Sequence, residues 1–568
     1  MRSPHELMIA LGIDCGTQGL KTVALDHDSG EILASASRSY GLIGGLAPGH
    51  LEQDPETWWT ALEATVREVL AALGSRRREV AAIGVSGQQH GFVPLDAEQR
   101  VIRPAKLWCD TSTAAQCEEI RAALGGRDAV IGLVGNDMLP GFTAPKILWL
   151  KQNEPENYRR LARVALPHDY LNLRLTGNLR MEYGDASGTA LLDVRRRVWS
   201  PDVWAVIDDS LPEKLPVVGS SREACGLLRG ELGHEWELGE VVVSAGGGDN
   251  MMAAIGTGNV GPGCVTASLG TSGTIFACAE NPVVDPRGEI AAFCDSNDRW
   301  LPLLCTMNVT VATELFRKMF GWDHARLERE ILSVPAGADG LVFLPYLQGE
   351  RTPSLPNGCG VLHGMNTANT TPAHVARAVM EGVTLGMAYG LRRMEELGVK
   401  PETIRLTGGG SNSAVWRRIC ADIFGYPVVT LKSSEGGALG AAIQALATAA
   451  GEPAADLSSR LVRVDEEARV DPRGDFDYGR VLERQNHLRS ALFMHPNLEI
   501  GNCAGRGTTH AGVVHDARFC LRGHPGAGGS RHGTGRHAFR SDHDEPGNGH
   551  HPCPTTVGND LDLMDDDR

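Results

Sequence analysis

Two series of strand-ending glycine loops run through this chain in the same order, and a repeat of that kind constrains the fold more than any single motif. In the first half, an apolar segment meets the turn Gly16-Thr17-Gln18-Gly19. Val80 to Val85 then ends at Ser86-Gly87-Gln88, and Val241 to Val243 runs into GGGDNMMAAIG at 246–256. The second half repeats the order with Gly270-Thr271-Ser272-Gly273, the segment Ile404 to Thr407 ending at Gly408-Gly409-Gly410, and EGGALGAAI at 435–443. An internal duplication of about 250 residues with unequal insertions accounts for both series. Two α/β lobes with paired hairpins facing a common cleft would clamp a nucleotide between them.

Within the first series, Asp249 carries the clearest chemistry. The β-branched run Val241-Val242-Val243 suits a strand covered on both faces. Gly246 to Gly248 permit a sharp turn and the close approach of a ligand. Asp249 therefore opens a small-residue helix, where it could act as a base or simply cap the helix, and this stretch alone does not separate the two.

Other segments read locally. Leu7 to Asp26 is a strand, a tight turn and a return strand, followed by a hairpin turn at Asp28-Ser29-Gly30. The turn is either a structural hairpin or a phosphate cradle in which Thr17 and the backbone face an anion and Asp14 holds a metal ion through water. Trp58 to Leu73 and Leu161 to Leu175 have helical periodicity, and Asp185 to Leu192 reads as a loop entering a strand. Gln88, Gln89 and His90 follow a strand's carboxyl end, where α/β sheets place ligands.

At 568 residues the chain exceeds one core and suggests two to four domains. A hydrophobic content of 42% and a charged content of 22% belong to a globular protein, and the net charge of −16 argues against nucleic acid or an anionic membrane as partner. No segment has signal-peptide or membrane-spanning character, so a cytoplasmic location is expected. The 13 cysteines are scattered without CxxC pairs or zinc spacings and read as reduced thiols.

With these motifs in place, residues 8 to 494 resemble the FGGY carbohydrate kinases. The resemblance rests on Gly12 to Thr17, Ser86 to Gly91, MLPGFTAPKILWL at 138–150, Gly246 to Asn250, Ser268 to Gly273, LPYLQGERTP at 344–353, and Gly360 to Glu381. It implies an α/β fold of two actin-like, ribonuclease-H-type lobes with a central nucleotide cleft: a sugar-binding lobe at 1–256 and an ATP-binding lobe at 257–496. It also implies phosphorylation of a ketopentose with ATP and Mg²⁺, and members acting on D-xylulose are the most similar. Asp249 would be the catalytic base, and Gln89, His90 and Asn250 would hold the sugar. Asp14, Thr17 and Thr271 would face phosphates and metal, with Gly408, Gly409, Gly410 and Asn412 carrying the adenosine.

The chain departs from the family where Met, Asn and a later Arg are usual and it has Gln89, Cys109 and Ser112. Rival readings are a kinase of ribulose, glycerol or gluconate, and an actin-like ATPase with no sugar acceptor. Gln89-His90 with Asp249-Asn250 argues against the ATPase, which needs no polyol pocket. The expected partners are a small sugar and ATP, with no nucleic acid and no membrane, and the sequence is compatible with a homodimer. Residues 497–568 are rich in Gly, His, Arg and Asp without apolar periodicity, a composition expected to be a disordered tail.

Overall fold

The structure, a computed structural model, describes residues 8–433 and 435–494. The expectation for 497–568 lies outside the described residues.

Two mixed sheets dominate. The first contains β1 (Ile9–Cys15), β2 (Gly19–Asp26), β3 (Ile32–Ser39), β4 (Val80–Gly87), β5 (Ala224–Leu227) and β6 (Val242–Ser244), ordered β5-β6-β4-β1-β2-β3. The second contains β7 (Cys264–Leu269), β8 (Gly273–Ala277), β9 (Ala291–Cys294), β10 (Trp300–Thr306), β11 (Thr403–Thr407), β12 (Val428–Leu431) and β13 (Val464–Val470), ordered β9-β10-β8-β7-β11-β12-β13. In the first sheet β1 and β2 pair antiparallel, as do β2 and β3, while β4 and β6 are added parallel. In the second, β7-β8-β10 and then β11 and β12 repeat that pattern strand for strand. The duplication read from the glycine loops is thus a duplication of topology.

The helices that matter to the site are α1 (Pro55–Leu73), α2 (Thr143–Asn153), α3 (Pro167–Thr176), α4 (Tyr183–Ala186), α5 (Asp249–Gly256), α6 (Ala414–Phe424) and α7 (Gly436–Ala450). Helices α5 and α7 follow the matching strands β6 and β12, and they cross each other in backbone contact. A Cβ on Gly440 would run into the Met252 carbonyl, and one on Gly12 or Gly84 would run into carbonyls of α7. So α7, late in the sequence, seats on β1 and β4 of the first sheet. The small apolar core there joins Ala10 and Ala82 with Met252, Ile255, Ala438, Ala441 and Ala442. Each sheet also has its own larger core, around Trp58, Leu62 and Val85 in one half and Leu304, Val383 and Ile404 in the other. No helix of the described residues is long and apolar enough to cross a membrane.

Two local expectations are corrected. The helix expected over Leu161 to Leu175 begins only at Pro167, and Arg163–Ala165 instead pairs as a strand with Val93–Leu95. The reason is steric: a residue preceding proline is pushed out of the helical region, and Leu166 sits at φ −97°, ψ 168°. The loop expected from Asp185 is one helical turn followed by a 3₁₀ turn, Ser187–Thr189. The Glu182 carboxylate fixes that turn by accepting the N–H groups of Gly184 and Asp185 at 2.7 and 2.5 Å.

Candidate active site

Asp14, Gln89, His90, Asp249 and Asn250 all leave the carboxyl ends of β1, β4 and β6, because parallel strands deliver their following loops to one edge of the sheet. Gly247-Gly248 extends that edge by pairing with Ser86-Gly87. Asp249 is the first residue of α5, and Gly248 holds the cap position. The Asp249 carboxylate instead accepts the Asn250 N–H at 2.8 Å and the Asn250 side-chain amide at 3.0 Å. The same Asn250 amide donates to Gln89 Oε1 at 2.6 Å, so one side chain ties β4's loop to the aspartate. Gln89 Nε2 is buried without a partner among the described residues. Burial pushes the Asp249 carboxyl up to about 7, reinforced by the charges of Asp14 and Asp185.

Asp14 accepts a hydrogen bond from Ser86 Oγ at 2.7 Å and lies against the start of α7, where a Cβ on Gly437 would fall 2.7 Å from its carboxylate. Its pKa is raised by burial and by Glu435, against the Ser86 bond and Lys21. Lys21 and Glu435 pair at 2.5 Å beside it, joining the first sheet to the segment entering α7.

The Thr17 hydroxyl is already engaged, donating to Gln88 Oε1 at 2.9 Å and accepting from Trp108 Nε1 at 3.0 Å. Gln53 donates to the Thr17 carbonyl at 2.7 Å and accepts from Gln88. Gln88 therefore braces the turn, while its neighbour Gln89 faces Asn250. Thr271 is exposed at the matching turn of the second sheet, whose carbonyls at Thr271 and Gly270 accept the N–H groups of Val309 and Thr310. Gly408, at φ 78°, and Gly410 pack on that turn, since a Cβ on Gly408 would fall 2.7 Å from the Leu269 carbonyl carbon. A Cβ on Gly409 would meet nothing within 4 Å, and Asn412 is exposed at the rim.

His90 is held in the left-handed region at φ 60°, which for a non-glycine residue needs firm surroundings. Its carbonyl accepts from Lys146 Nζ at 2.9 Å and Thr143 at 3.2 Å. Its N–H donates to Asp185 at 3.2 Å, and its ring lies between those of Phe142 and Phe293, with centroids 5.2 and 5.3 Å away. Burial pushes the Lys146 ammonium down to about 7.

Sequence reasoning missed Lys146, Asp185 and Trp108 as parts of the site. A lysine inside the otherwise apolar run TAPKILWL was the available signal for the first. Arg351, from the second half, reaches across to stand 5.2 Å over the Trp108 ring.

The FGGY carbohydrate kinase N-terminal domain matches residues 9–256 and the C-terminal domain of the same family matches residues 265–449. The chain is 39% identical over 470 residues to the xylulose kinase of Haemophilus influenzae, covering 81% of this chain and 95% of that one. It is 37% identical over 458 residues to the xylulose kinase of Escherichia coli, covering 79% and 92%. The crystal structure of a xylulose kinase from Brucella ovis superposes with a TM-score of 0.80 at 32% identity, covering 85% of this chain and 99% of that one. With two duplicated α/β lobes, carboxylates gathered at the strand ends of the first sheet and both family domains in sequence, the chain belongs to the FGGY family of carbohydrate kinases and uses ATP to phosphorylate a sugar.

Proposed function

We propose that the sugar is a ketopentose, D-xylulose converted to D-xylulose 5-phosphate, and that Asp249 is the general base. The observation that carries this reading is the joining of Asp249 to Gln89 through Asn250, beside an amide nitrogen, Gln89 Nε2, that is buried with no partner among the described residues. A buried donor without a partner is costly unless a ligand completes it, and a sugar hydroxyl does so. The relatives named as xylulose kinases support the choice of acceptor.

Phosphoryl transfer asks mainly for positioning and neutralisation of charge. Asn250 orients the Asp249 carboxylate, which takes the proton of the attacking sugar hydroxyl as the hydroxyl oxygen bonds to the γ-phosphorus and the bond from that phosphorus to the bridging oxygen breaks, releasing ADP. A base with a pKa near 7 is about half ionised at pH 7 and is more basic than an ordinary carboxylate, which favours its accepting that proton. Residues 1–256 would supply the sugar pocket. Residues 257–496 would supply the nucleotide site, with adenosine over Gly408 to Gly410 beside Asn412, and phosphates between the Thr17 and Thr271 turns.

Asp14 fits a magnesium ion. It is an oxygen donor with other carboxylates close by: burial first, and then neighbouring negative charge, Glu435 at Asp14 and Asp14 at Asp249, raise the two pKa values, and a bound cation would offset that charge. Bound Mg²⁺ would offset phosphate charge. Asp14, oriented by Ser86, would hold it directly or through water.

A coupled ADP-release assay over D-xylulose, ribulose, glycerol and gluconate tests the reading. The highest kcat/KM is expected on D-xylulose. A higher value on another polyol overturns the acceptor, and ATP turnover indifferent to every sugar overturns the pocket.

A further inference from the structure

We infer that Asp185, braced by His168, is a positioning residue that fixes His90 as its Nδ1–H tautomer and so presents Nε2 to the sugar as a hydrogen-bond acceptor. This rests on the reading of His90 as a sugar contact and specifies its polarity.

The argument begins at His168, fully buried on α3. Its Nε2 lies 3.0 Å from Asp169 Oδ1, and its Nδ1 lies 3.2 Å from Asp185 Oδ2, ion-pair contacts without hydrogen-bond alignment. Asp169 is itself anchored through its other oxygen, which accepts the Leu166 N–H at 2.9 Å. An imidazole between two carboxylates holds its second proton, and the His168 pKa is raised well above the ordinary value although burial opposes it. Asp185 is thereby kept ionised: burial would raise its carboxyl, but His168 and His90 outweigh that and bring it to about 2.

The second oxygen of Asp185 faces His90. Oδ1 takes the His90 N–H at 3.2 Å and lies 3.3 Å from Nδ1 without hydrogen-bond alignment; among the described residues that nitrogen has no hydrogen-bond partner, and Asp185 Oδ1 is the charged acceptor standing next to it. An ionised carboxylate only accepts, so the nitrogen facing it is the one bearing hydrogen. The ring is neutral, because burial lowers its pKa and Lys146 and Arg351 add to that against the pull of Asp185. A neutral imidazole with hydrogen on Nδ1 has its lone pair on Nε2. Gly188 leaves room for this ring orientation, since a Cβ there would run into Nδ1 and Cε1.

Gln89 Nε2 can donate and His90 Nε2 can accept, so the two neighbouring side chains present opposite polarities. That pairing suits adjacent hydroxyls, one accepting and one donating, and disfavours an acceptor that has lost either.

Two-bond ¹H–¹⁵N spectra of the full chain labelled with [¹⁵N]histidine, with His90 assigned by the loss of its signals in His90→Gln, provide the test. A pyridine-type Nε2 and a pyrrole-type Nδ1 are expected, with Nε2 moving on addition of D-xylulose. An Nε2–H tautomer or an imidazolium overturns the inference. Signals unmoved by saturating sugar overturn the sugar contact beneath it, whichever tautomer is found. In Asp185→Asn the amide can turn a donor toward His90, so KM for sugar should rise roughly 5- to 100-fold while KM for ATP changes by about twofold or less. A folded Asp185→Asn with unchanged sugar KM also overturns it, and if that variant does not fold, the spectrum of the native chain decides.

Discussion

Gly256 and Gly436 meet backbone to backbone where α5 and α7 cross, and a Cβ on Gly256 would run into the Gly436 carbonyl oxygen. The crossing sets the start of α7 against Asp14 and the start of α5 beside the Gln89 loop, so the seam between the repeats is also the frame of the site.

Gly440 makes the reciprocal approach, against the Met252 carbonyl and the Gly256 nitrogen. In an ordinary helix interior Gly→Ala is favourable by about 1 kcal/mol. Here the clash is with backbone, which has no rotamer to escape into, so Gly440→Ala should reverse the sign and cost about 1–3 kcal/mol or more. A thermal midpoint equal to or above that of the native chain would mean the helices separate more easily than this contact implies.

Asp249→Asn keeps the side chain's size but cannot take a proton. If Asp249 is the base, kcat should fall by about 10²–10⁴-fold with ATP affinity little changed. A mere first-turn acid at α5 would leave the rate nearly intact. Initial rates with ATP saturating, and nucleotide binding by calorimetry, separate the two readings.

The same carboxylate sets a pH dependence. A base works only when ionised, and burial with the nearby Asp14 and Asp185 charges raises Asp249 to about 7. For the free enzyme, kcat/KM for sugar should therefore decline as pH falls through about 7, a limb absent if the base had an ordinary carboxyl pKa. A profile flat down to pH 5 would remove Asp249 from that role.

Gly188→Ala introduces a methyl group where the His90 ring stands. Because Phe142 and Phe293 flank that ring, it has little room to yield. KM for sugar should rise by roughly tenfold, the effect of about 1.4 kcal/mol, with KM for ATP close to native. Equal changes in both constants would indicate general disruption.

Lys106 fills a position that His50, Glu52 and Asp110 could otherwise offer to a metal ion. Its ammonium lies 3.0 Å from Glu52, 3.2 Å from Asp110 and 2.8 Å from Ser112, and 3.9 Å over the Trp149 ring. Lys106→Met would leave buried Asp110 without its cation, while Arg103 still pairs with Glu52 at 2.6 Å. The loss should be about 3 kcal/mol, the lower end for breaking a buried pair. Since strand pairing at 52–53 and 105–106 supports Gln53, which holds Thr17, activity should fall in parallel with the thermal midpoint.

The sequence by itself determined whatever depends on near neighbours. A β-branched run ending in glycines reads as a strand and turn because φ/ψ preferences are local, and this placed β1, β4, β6, β7 and β11 and the order in which they repeat. It also placed Asp249 at the start of a helix and Gln89 and His90 after a strand end, whereas Asp14, read in the turn, still belongs to β1 and pairs with Lys21 and Ser86. The helix expected over 161–175 is shorter because Pro167 pushes Leu166 before it out of the helical region, also a local effect. Tertiary structure alone decided that Asp249 does not cap α5 and that Thr17's hydroxyl is taken by Gln88 and Trp108. It also brought Asp185 against His90, 95 positions earlier in the chain, with His168 behind it, residues whose side chains carry no sequence sign of each other. Their pairing follows from burial, because a carboxylate removed from water must find a partner, and only the folded chain says which partners are within reach.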